Sequence, residues 1–420
     1  MHKQTAWVLL AGSLILAALG QFGIGRVTAQ GPIDPNAFID LLPGLRTAPP
    51  PPTVRQGLRI TFYSATASIP GQSYILVPDP SGGWVVQATG QKFSEQAMFG
   101  RGGHGYSQVN VAFLDRALAV LDVRSFGLPY PSGGLSYLHG YSGAVGLPGA
   151  GSDFWLHPNA LRQALGLRAQ GLTVLRMPYA LGGRQHNGIR FQSVSTTGGA
   201  AWVFDEDTGV LLYNGSSSVG GFVSGPVKQG DTPGRGTGLH LNRLMDVRVV
   251  NLPWSHSPAP AWVAPLNVVR YSGVQAVTVP NAGTAQIPVA VTLERTTAGA
   301  GWARYTQTLV AGGVGGLPAN TAQSVRTFGP AQVGGLWIPP NVLAQLTPGR
   351  VLDRDPVTRM TTVVGQAGRP DIVMITESHD GQRLDYGYDR GSGMLVYVGL
   401  LEIDPVTGTR THTQIQLAQR

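Results

Sequence analysis

Apolar and polar residues alternate in short runs along most of the chain, and glycine, proline or aspartate residues separate the runs. Clear examples lie at 58–68, 172–179 and 383–388. A period of two residues over four to eight positions is typical of a β-strand with one buried face. Between 360 and 417 five such runs follow one another with only short turns between them, which predicts an antiparallel meander.

Helical spacing of apolar residues is rare. The best candidates are 158–167 and 340–346, where an asparagine follows a proline and apolar residues recur every three or four positions. We therefore expect about one short helix in each half of the chain.

Several runs occur twice, about 180 residues apart and in the same order. The segment 154–161 matches 336–343, and 202–213 matches 386–397. Upstream, 123–127 matches 325–329, since both read Val-Arg-Ser/Thr-Phe-Gly. These matches indicate two copies of one domain. The predicted fold class is all-β: a tandem duplication of an antiparallel β-meander (curved sheet, half-barrel or sandwich) with about one short helix per copy.

The chain divides into five predicted segments. A secretory signal peptide covers 1–29, because an apolar stretch at 6–19 precedes small residues that end at Ala29. A proline-rich stalk follows at 30–56, then a first β-domain at 57–252 and a second at 266–420. The Pro- and Trp-rich linker 253–265 joins them, and its tryptophans predict that it packs onto a domain. Retention of the signal segment as an anchor is the alternative.

Composition narrows the function classes. The chain has no cysteine, which excludes a disulfide framework and a thiolate metal site. Its arginines are scattered singly rather than clustered with aromatic residues, so we expect no nucleic-acid partner. No later segment is long and apolar enough for a membrane span after signal cleavage. We expect a secreted protein, in the periplasm, at the cell surface or outside the cell.

Enzyme signatures are weak. The glycine pattern at 100–105 precedes a predicted strand rather than a helix, so it does not predict a dinucleotide site. The segment 140–143 lacks the spacing of a nucleophile elbow. The carboxylates at 205–207 could hold calcium and the histidines of the first copy could hold zinc, but neither set has a matching ligand pattern. The sequence therefore predicts no catalytic residue, metal or cofactor. It favours a protein without enzymatic activity.

The pattern Asp-x-x-Thr-Gly recurs in the turns 205–209 and 404–408, and more loosely at 389–393. Aspartate accepts hydrogen bonds from amides two or three residues later, and glycine supplies the positive φ that closes the turn. Strands joined by such turns resemble the periplasmic lipoprotein-carrier folds, in which a curved antiparallel sheet holds acyl chains. That resemblance covers the final hairpins of each copy and implies a carrier as one alternative.

One asymmetry points to a site. The repeat alignment leaves a longer connection after Gly127 than after Gly329, which predicts a functional loop at 128–153 in the first copy. We expect ligand binding by side chains of this copy: Tyr130, Tyr137, His139, Tyr141, His104 and His186. Because the second copy lacks the loop, deletion of 128–153 is expected to leave folding nearly intact but to remove any binding.

Three functions remain open. The leading hypothesis is a secreted or envelope-associated non-enzymatic protein with a structural or binding role, whose partner is an envelope glycan, lipid or protein. The second is a periplasmic carrier of an apolar, lipid-like ligand in a concave β-sheet. The third is a hydrolase with a histidine-containing site in the first domain.

Overall fold

A computed structural model shows a protein that is nearly all β. It describes residues 35–70, 74–100, 102–128, 136–151, 153–169, 171–219, 236–312, 319–379, 381–404 and 407–419. The predicted signal peptide lies outside the described residues. Within the described part, no helix is long and apolar enough to cross a membrane.

The first half of the chain forms one large antiparallel sheet and one small sheet. Its strands are β1 (Leu58–Pro70), β2 (Leu76–Asp79), β3 (Gly83–Val86), β4 (Lys92–Phe93), β5 (Gly103–Leu114), β6 (Ala119–Leu128), β7 (Ser136–Gly146), β8 (Arg168–Ala169), β9 (Leu172–Leu181), β10 (Arg184–Ser195), β11 (Gly198–Asp205), β12 (Leu211–Val219) and β13 (Gly236–Val249). The large sheet has the order β7-β6-β5-β1-β13-β12-β11-β10-β9-β8, and β2, β3 and β4 form the small one.

The second half repeats the large sheet. Its strands are β14 (Val268–Val279), β15 (Gly283–Ala298), β16 (Ala303–Ala311), β17 (Asn320–Phe328), β18 (Val351–Arg354), β19 (Thr361–Gly365), β20 (Ile372–His379), β21 (Gln382–Asp389), β22 (Leu395–Ile403) and β23 (Arg410–Gln419). Their order, β17-β16-β15-β14-β23-β22-β21-β20-β19-β18, is that of the first sheet strand for strand. The predicted all-β fold and tandem duplication are confirmed, while the residue limits of the two domains stay predictions.

Four short α-helices occur in the described residues: α1 (Pro35–Leu41), α2 (Glu95–Phe99), α3 (Pro158–Gln163) and α4 (Pro340–Leu343). The helices α3 and α4 are the predicted pair, one in each copy, and both begin at a proline, which tolerates the first helical position. Short 3₁₀ turns follow α1 at Pro43–Arg46 and precede the second sheet at Ala261–Val263.

The segment before each of these helices makes the same tertiary contact in both copies. The amide of Leu156 donates to the carbonyl of Gly209 at 2.9 Å, and the amide of Ile338 donates to Gly393 at 2.9 Å. Both glycines close an aspartate turn with positive φ, +76° and +74°. A Cβ added to Gly209 would lie 2.1 Å from the Leu156 carbonyl oxygen. The repeated sequence thus encodes a repeated turn-to-helix contact.

Replacing Gly209 by alanine should destabilise the first copy by about 2–4 kcal/mol, because backbone strain and a steric clash add together. Gly166→Ala is the matched control: Gly166 also has positive φ, +83°, but nothing lies within 4 Å of its added Cβ. The control should cost only about 1 kcal/mol. Urea denaturation measures the stability of both variants. Equal losses of stability would show that the clash with the Leu156 carbonyl contributes nothing.

The prediction that 128–153 is a loop without strands of its own is wrong, because residues 136–146 form strand β7. The match between 123–127 and 325–329 pairs β6 with β17, whereas the sheet orders make β17 the counterpart of β7. A similar short motif on non-equivalent strands therefore produced the apparent insertion. Strand β7 packs against β17, and a Cβ on Gly143 would lie 2.3 Å from the Thr327 amide nitrogen. Deletion of 128–153 should therefore damage the fold.

The real insertion in the first copy lies between β1 and β5. In the second copy, β14 and β15 are joined by the three residues 280–282. In the first, the corresponding connection contains the small sheet and α2. The small sheet packs on β11 and β12, where Ser217 Oγ donates to the Leu76 carbonyl, and its Trp84 is fully buried. This insertion covers one face of the first sheet, here named the outer face, which carries Tyr63 and Arg243.

The opposite, inner face of the first sheet carries Ile60 and Phe191 and receives the N-terminal segment. The ring of Phe38 in α1 meets the rings of Phe191, Trp202 and Phe204 edge-on at 5.1–5.6 Å between centroids. Leu42, Leu45 and Val54 are buried in the same core. Residues 38–54 of the predicted stalk therefore pack into the first sheet rather than extend away from it.

The two halves pack against each other through the outer face of β1, β5, β6 and β13. Trp254 of the linker is buried and donates from Nε1 to the Gln332 carbonyl at 3.1 Å. Trp262 donates to the Ser392 carbonyl at 2.8 Å, so the linker packs onto the second half as its tryptophans predict. Phe126 of β6 belongs to the apolar cluster of the second half.

Candidate functional site

A cavity of about 440 Å³ lies on the outer face of the first sheet, beside α2. Strands β1, β5 and β13 and the helix α2 supply its lining: Tyr63, Glu95, Gln96, Phe99, Gly100, His104, Leu241, Arg243 and Met245. The second copy has no counterpart of α2, because its β14–β15 connection is a short turn. The cavity is therefore a property of the first copy.

Local sequence explains why α2 closes the cavity. Ser94 caps the helix by accepting a hydrogen bond from the Ala97 amide at 3.2 Å. Glu95 in the first turn is favourably placed near the helix N-terminus. Phe99, at the end of the helix, is buried and packs on Trp84 of the small sheet at 5.9 Å between ring centroids. The helix is thus held at both ends and presents Glu95 and Gln96 to the cavity.

The sheet register places the polar side chains side by side. Tyr63 of β1 lies opposite Arg243 of β13 on one side and opposite Tyr106 of β5 on the other. His104 lies two residues before Tyr106, on the same face. Cross-strand neighbours of this kind have Cβ atoms about 5 Å apart, so their side chains interact directly.

Tyr63 and His104 form a hydrogen-bonded pair, with the Tyr63 hydroxyl 2.5 Å from His104 Nδ1. Burial and the nearby Glu95 carboxylate raise the pKa of the Tyr63 phenol above its usual value of 10. The phenol therefore keeps its proton at neutral pH and can donate it to His104 Nδ1. In that arrangement Nε2 of the His104 ring carries a proton, which it can donate to a ligand.

An ion pair forms the second polar element of the cavity. Arg243 donates to the Glu95 carboxylate, and both groups are partly exposed. Arg243 also acts on Tyr179, whose pKa is raised by burial although the nearby guanidinium opposes that shift. Because Glu95 and Arg243 balance each other, the cavity offers directed hydrogen bonds without a large net charge.

The remaining walls are apolar. Leu241 is buried, whereas Met245 is 50% exposed beside the cavity. Methionine adapts its shape to irregular apolar surfaces and makes favourable contacts with aromatic rings. An apolar wall with a few directed polar groups is typical of a small-molecule binding site.

Of the residues predicted from sequence, His104 lies in this cavity and His186 does not. His186 of β10 bonds through Nδ1 to Asp205 Oδ2 at 2.7 Å. Burial would raise the pKa of Asp205, but the bonds from His186 and Thr208 outweigh it and lower that pKa. The pair stabilises the turn 205–209. His104 and His186 therefore have separate partners on β1 and β11, and they form no common catalytic group.

The other predicted residues lie on or next to β7. Tyr137, His139 and Tyr141 are positions of that strand, with Tyr141 in register with Arg124 of β6. Tyr130 lies outside the described residues. Their assignment as ligand-binding residues stays a prediction.

Sequence reasoning missed Tyr63, Glu95, Arg243 and Met245. The Ser94-Glu95 helix start was a usable signal for α2, since a serine cap followed by an acidic residue predicts a helix N-terminus. Nothing in the sequence pairs β1 with β13, which lie about 180 residues apart. Among the described residues, no group of three or more His, Asp or Glu side chains could hold a metal ion.

Comparisons with known proteins give little further guidance. No protein-family model and no curated protein matches the chain. Among solved structures it is similar to a protein of unknown function of the DUF3598 family from Nostoc punctiforme, at 11% identity over 87% of this chain and 96% of that one, with a TM-score of 0.13. It is also similar to a "putative AttH" from Nitrosomonas europaea, at 11% identity over 86% and 92%, with a TM-score of 0.13. Neither likeness carries an argument about function.

Proposed function

We propose that this protein is a secreted or envelope-associated binding protein without enzymatic activity, and that its first copy binds a small amphipathic molecule in the cavity beside α2. One observation carries the proposal: the insertion that distinguishes the first copy from the second also builds this cavity. A duplicated fold needs its core in both copies but a ligand site in only one.

The lining indicates the chemistry of the ligand. An apolar or aromatic group would pack on Phe99, Leu241 and Met245, while a hydroxyl or carbonyl oxygen would accept from His104 Nε2 or the Gln96 amide. A lipid or glycan fragment of the cell envelope combines these features. The secreted location rests on the predicted signal peptide and stays part of the proposal.

Native mass spectrometry of residues 30–420, purified gently from a bacterial envelope, tests this proposal. The expected result is a retained mass that is lost on denaturation. Met245→Asp places a charge on the exposed cavity wall and should reduce the retained fraction about tenfold, because the ligand would have to desolvate that carboxylate.

Val247→Asp is the matched control, since Val247 lies two residues further along β13, is 37% exposed and does not line the cavity. It should retain the mass at the wild-type level. An equal loss in both variants, or a retained mass unaffected by Met245→Asp, would reject the cavity as the binding site.

A hydrolase site built on His104 and His186 receives no support, because these two histidines have separate partners on β1 and β11. A carrier that holds an apolar ligand on the inner face would have to place it beside Phe38, Phe191 and Trp202, which already pack on one another. The binding role is therefore the function we propose.

A further inference from the structure

In the first copy, other parts of the protein cover the outer face along one row of side chains. The row crosses neighbouring strands in register: Tyr213, Arg243, Tyr63, Tyr106 and Phe126. The small sheet covers the Tyr213 end, which is fully buried, and Phe126 packs into the apolar cluster of the second half. The cavity beside α2 lies between these two ends.

The equivalent row of the second copy is exposed. Tyr397 corresponds to Tyr213 in the repeat, and its row reads Tyr397, Gln416, Ser272, Ala290 and Val310. The adjoining row on the same face reads Gly399, Gln414, Val274 and Pro288. Apart from Gly399, these residues are exposed or half-buried, and Val274 and Val310 are 41% and 36% exposed. The two rows together are here named the open face.

Two differences between the copies leave the open face uncovered. The residues 280–282 that join β14 to β15 are too few to form a small sheet or a helix like α2. The first sheet binds the second half through Gln108 and Arg124, whereas Thr292 and Thr308 stand at the equivalent positions of the second sheet. The second sheet therefore does not repeat the charged contact of the first, and a partner of the open face has to match an uncharged surface.

The composition of the open face is that of a protein interface. Its centre consists of apolar side chains from three neighbouring strands: Val274, Pro288, Ala290 and Val310. The two glutamines of β23 border this centre, and no residue of the open face is Asp, Glu, Lys or Arg. An apolar centre without charges and with a polar rim is typical of the interfaces of homodimers.

Tyr397 keeps the border of the open face flat. A Cβ on Gly399 would lie 2.7 Å from the Tyr397 hydroxyl oxygen, so the ring lies along its own strand instead of projecting from the sheet. Gln414 Nε2 donates to the same hydroxyl at 3.2 Å. A flat face of this kind suits a second sheet packed about 10 Å away.

The open face continues from a contact that already exists within the molecule. Thr321 of β17 lies opposite Val310, and Thr327 shares its face further along the same strand. Thr327 Oγ1 donates to the Leu121 carbonyl of the first sheet at 2.8 Å, and Gly143 of β7 packs against it. The outer face of the second sheet is therefore an interface at one end and free at the open face.

The size of the open face indicates a weak but specific contact. Five strands about 4.8 Å apart, each exposed over about six residues, give a face of roughly 24 by 20 Å, or about 500 Å² in projection. Stable dimers commonly bury about 800 Å² on each partner, and weaker specific complexes bury less. Two open faces packed together would form a dimer that dissociates on dilution.

We propose that the open face binds the open face of a second copy of this chain, so that two molecules pack sheet on sheet about a two-fold axis. A two-fold interface brings the same patch from both partners. An uncharged patch can face itself without repulsion, although each chain carries a formal charge of +8. A glycan is a poorer occupant, because the centre of the open face offers apolar side chains rather than hydrogen bonds.

Sedimentation velocity of residues 30–420 over a wide range of concentrations tests the proposal. The weight-average mass should rise from that of one chain towards that of two. Val274→Asp places a carboxylate in the apolar centre on both sides of the interface and should weaken dimerisation at least about tenfold. Val247→Asp is the control, since Val247 is a similarly exposed valine, at 37%, on the first sheet, and it should dimerise like wild type.

Cross-linking provides a second measurement that does not depend on a disruptive variant. The chain has no cysteine, so Val274→Cys carries a single thiol on the open face. A short bismaleimide should join two Val274→Cys chains, and it should leave Val247→Cys as single chains. If Val274→Asp does not fold, Ala290→Asp replaces it, because Ala290 is exposed in the adjoining row.

A chain that stays monomeric at all concentrations, or a dimer that Val274→Asp leaves intact, would overturn the proposal. A monomer that retains a non-protein mass, which Val274→Asp removes, would overturn it too, because the occupant would then be a ligand. Met245→Asp should not alter dimerisation, since Met245 lines the cavity of the first copy. These results are therefore separable from the test of the cavity beside α2.

Discussion

Replacing Arg124 by methionine should lower the free energy of unfolding by about 3–5 kcal/mol, because it leaves a buried carboxylate in the interface without its partner. Arg124 lies on β6 of the first sheet and Glu377 on β20 of the second. The guanidinium Nη1 is 3.0 Å from both oxygens of Glu377, and Nε is 3.1 Å from Asp122 Oδ2. Their side chains are 4%, 1% and 2% exposed.

The surroundings of Glu377 explain why the loss of stability in Arg124→Met should be large. Its register neighbours on β19 and β21 are Thr362 and Leu384, and Tyr386 donates to its carboxylate at 3.2 Å. Arg124 also donates to the Val333 carbonyl. Without the arginine, a carboxylate would remain in an apolar cluster with one phenol as its donor, which costs much more than a surface ion pair contributes.

The comparison that isolates this effect is Arg383→Met. Arg383 pairs with Asp385 on the surface, with 53% of its side chain exposed, so its loss should cost under about 1 kcal/mol. Calorimetry should show a single transition for wild type and this control. For Arg124→Met we expect a lower melting temperature, because one buried ion pair between the halves is lost. An unchanged melting temperature would contradict the buried-pair explanation.

Replacing Glu377 as well should restore part of the stability that is lost in Arg124→Met. In Arg124→Met, Glu377→Met the unpaired carboxylate on β20 is gone, although Asp122 still lacks its arginine. Replacing a buried ion pair by apolar side chains is often neutral, so the double variant should be more stable than Arg124→Met alone. If the double variant is less stable than Arg124→Met alone, Glu377 stabilises the protein through its bond with Tyr386 rather than through Arg124.

The sequence predicted those parts of the fold that depend on local patterns. Alternation and Asp-x-x-Thr-Gly turns mark the meander from β19 to β23, and the proline-asparagine starts mark α3 and α4. The repeat of 154–161 at 336–343 predicted the duplication, because a turn-to-helix contact such as Leu156 with Gly209 must be encoded in each copy. These features need no knowledge of distant partners.

Features that depend on distant pairing could not be predicted in this way. The match between 123–127 and 325–329 placed β7 in a loop, since five similar residues fit more than one strand of an antiparallel sheet. The cavity beside α2 needs β1 next to β13, which only the closed sheet order creates. His104 was found because histidine is rare and conspicuous, whereas its partner Tyr63 looked like any aromatic residue on a strand.

A fourth aspartate turn was hidden for a local reason. Residues 355–359 read Asp-Pro-Val-Thr-Arg, so arginine stands where the other turns have glycine. Arg359 nevertheless adopts a positive φ of +60°, and the Asp355 amide bonds to the Met360 carbonyl at 2.8 Å, as in the turns that end in glycine. A glycine pattern therefore misses a turn whose aspartate contacts three residues of the first half, Arg59, Gln108 and Arg248.

Asp355 uses its two carboxylate oxygens for different purposes. Oδ1 accepts from the amides of Val357 and Thr358 at 3.0 and 2.8 Å and so closes the turn. Oδ2 accepts from Arg59, Arg248 and Gln108 of the first sheet at 2.9–3.1 Å. The side chain is 1% exposed. One carboxylate thus joins a local turn in the second half to three donors in the first.

Protonation of Asp355 should consequently weaken the interface. Burial alone would raise its pKa, but Arg59, the Thr358 amide and Arg248 outweigh burial and lower the pKa to about 2. In the unfolded chain the value is near 3.8. A carboxyl whose pKa is lower in the folded state stabilises that state above the unfolded pKa, and this stabilisation disappears as pH falls through the folded pKa. This difference in pKa corresponds to about 2 kcal/mol of folding stability, which is lost as the pH falls from about 4 to 2.

Asp355→Asn should therefore lower stability by about 3–5 kcal/mol at neutral pH, since one amide oxygen cannot close the turn and also face two arginines. Between about pH 4 and pH 2 the variant should lose less stability than wild type, because it has one fewer carboxyl to protonate. The control is Asp389→Asn, whose aspartate closes an equivalent turn through Ser392 at 2.7 Å. Urea denaturation across this pH range measures both variants. If Asp355→Asn and wild type lose stability in parallel as the pH falls, Asp355 is not the group that makes the interface acid-sensitive.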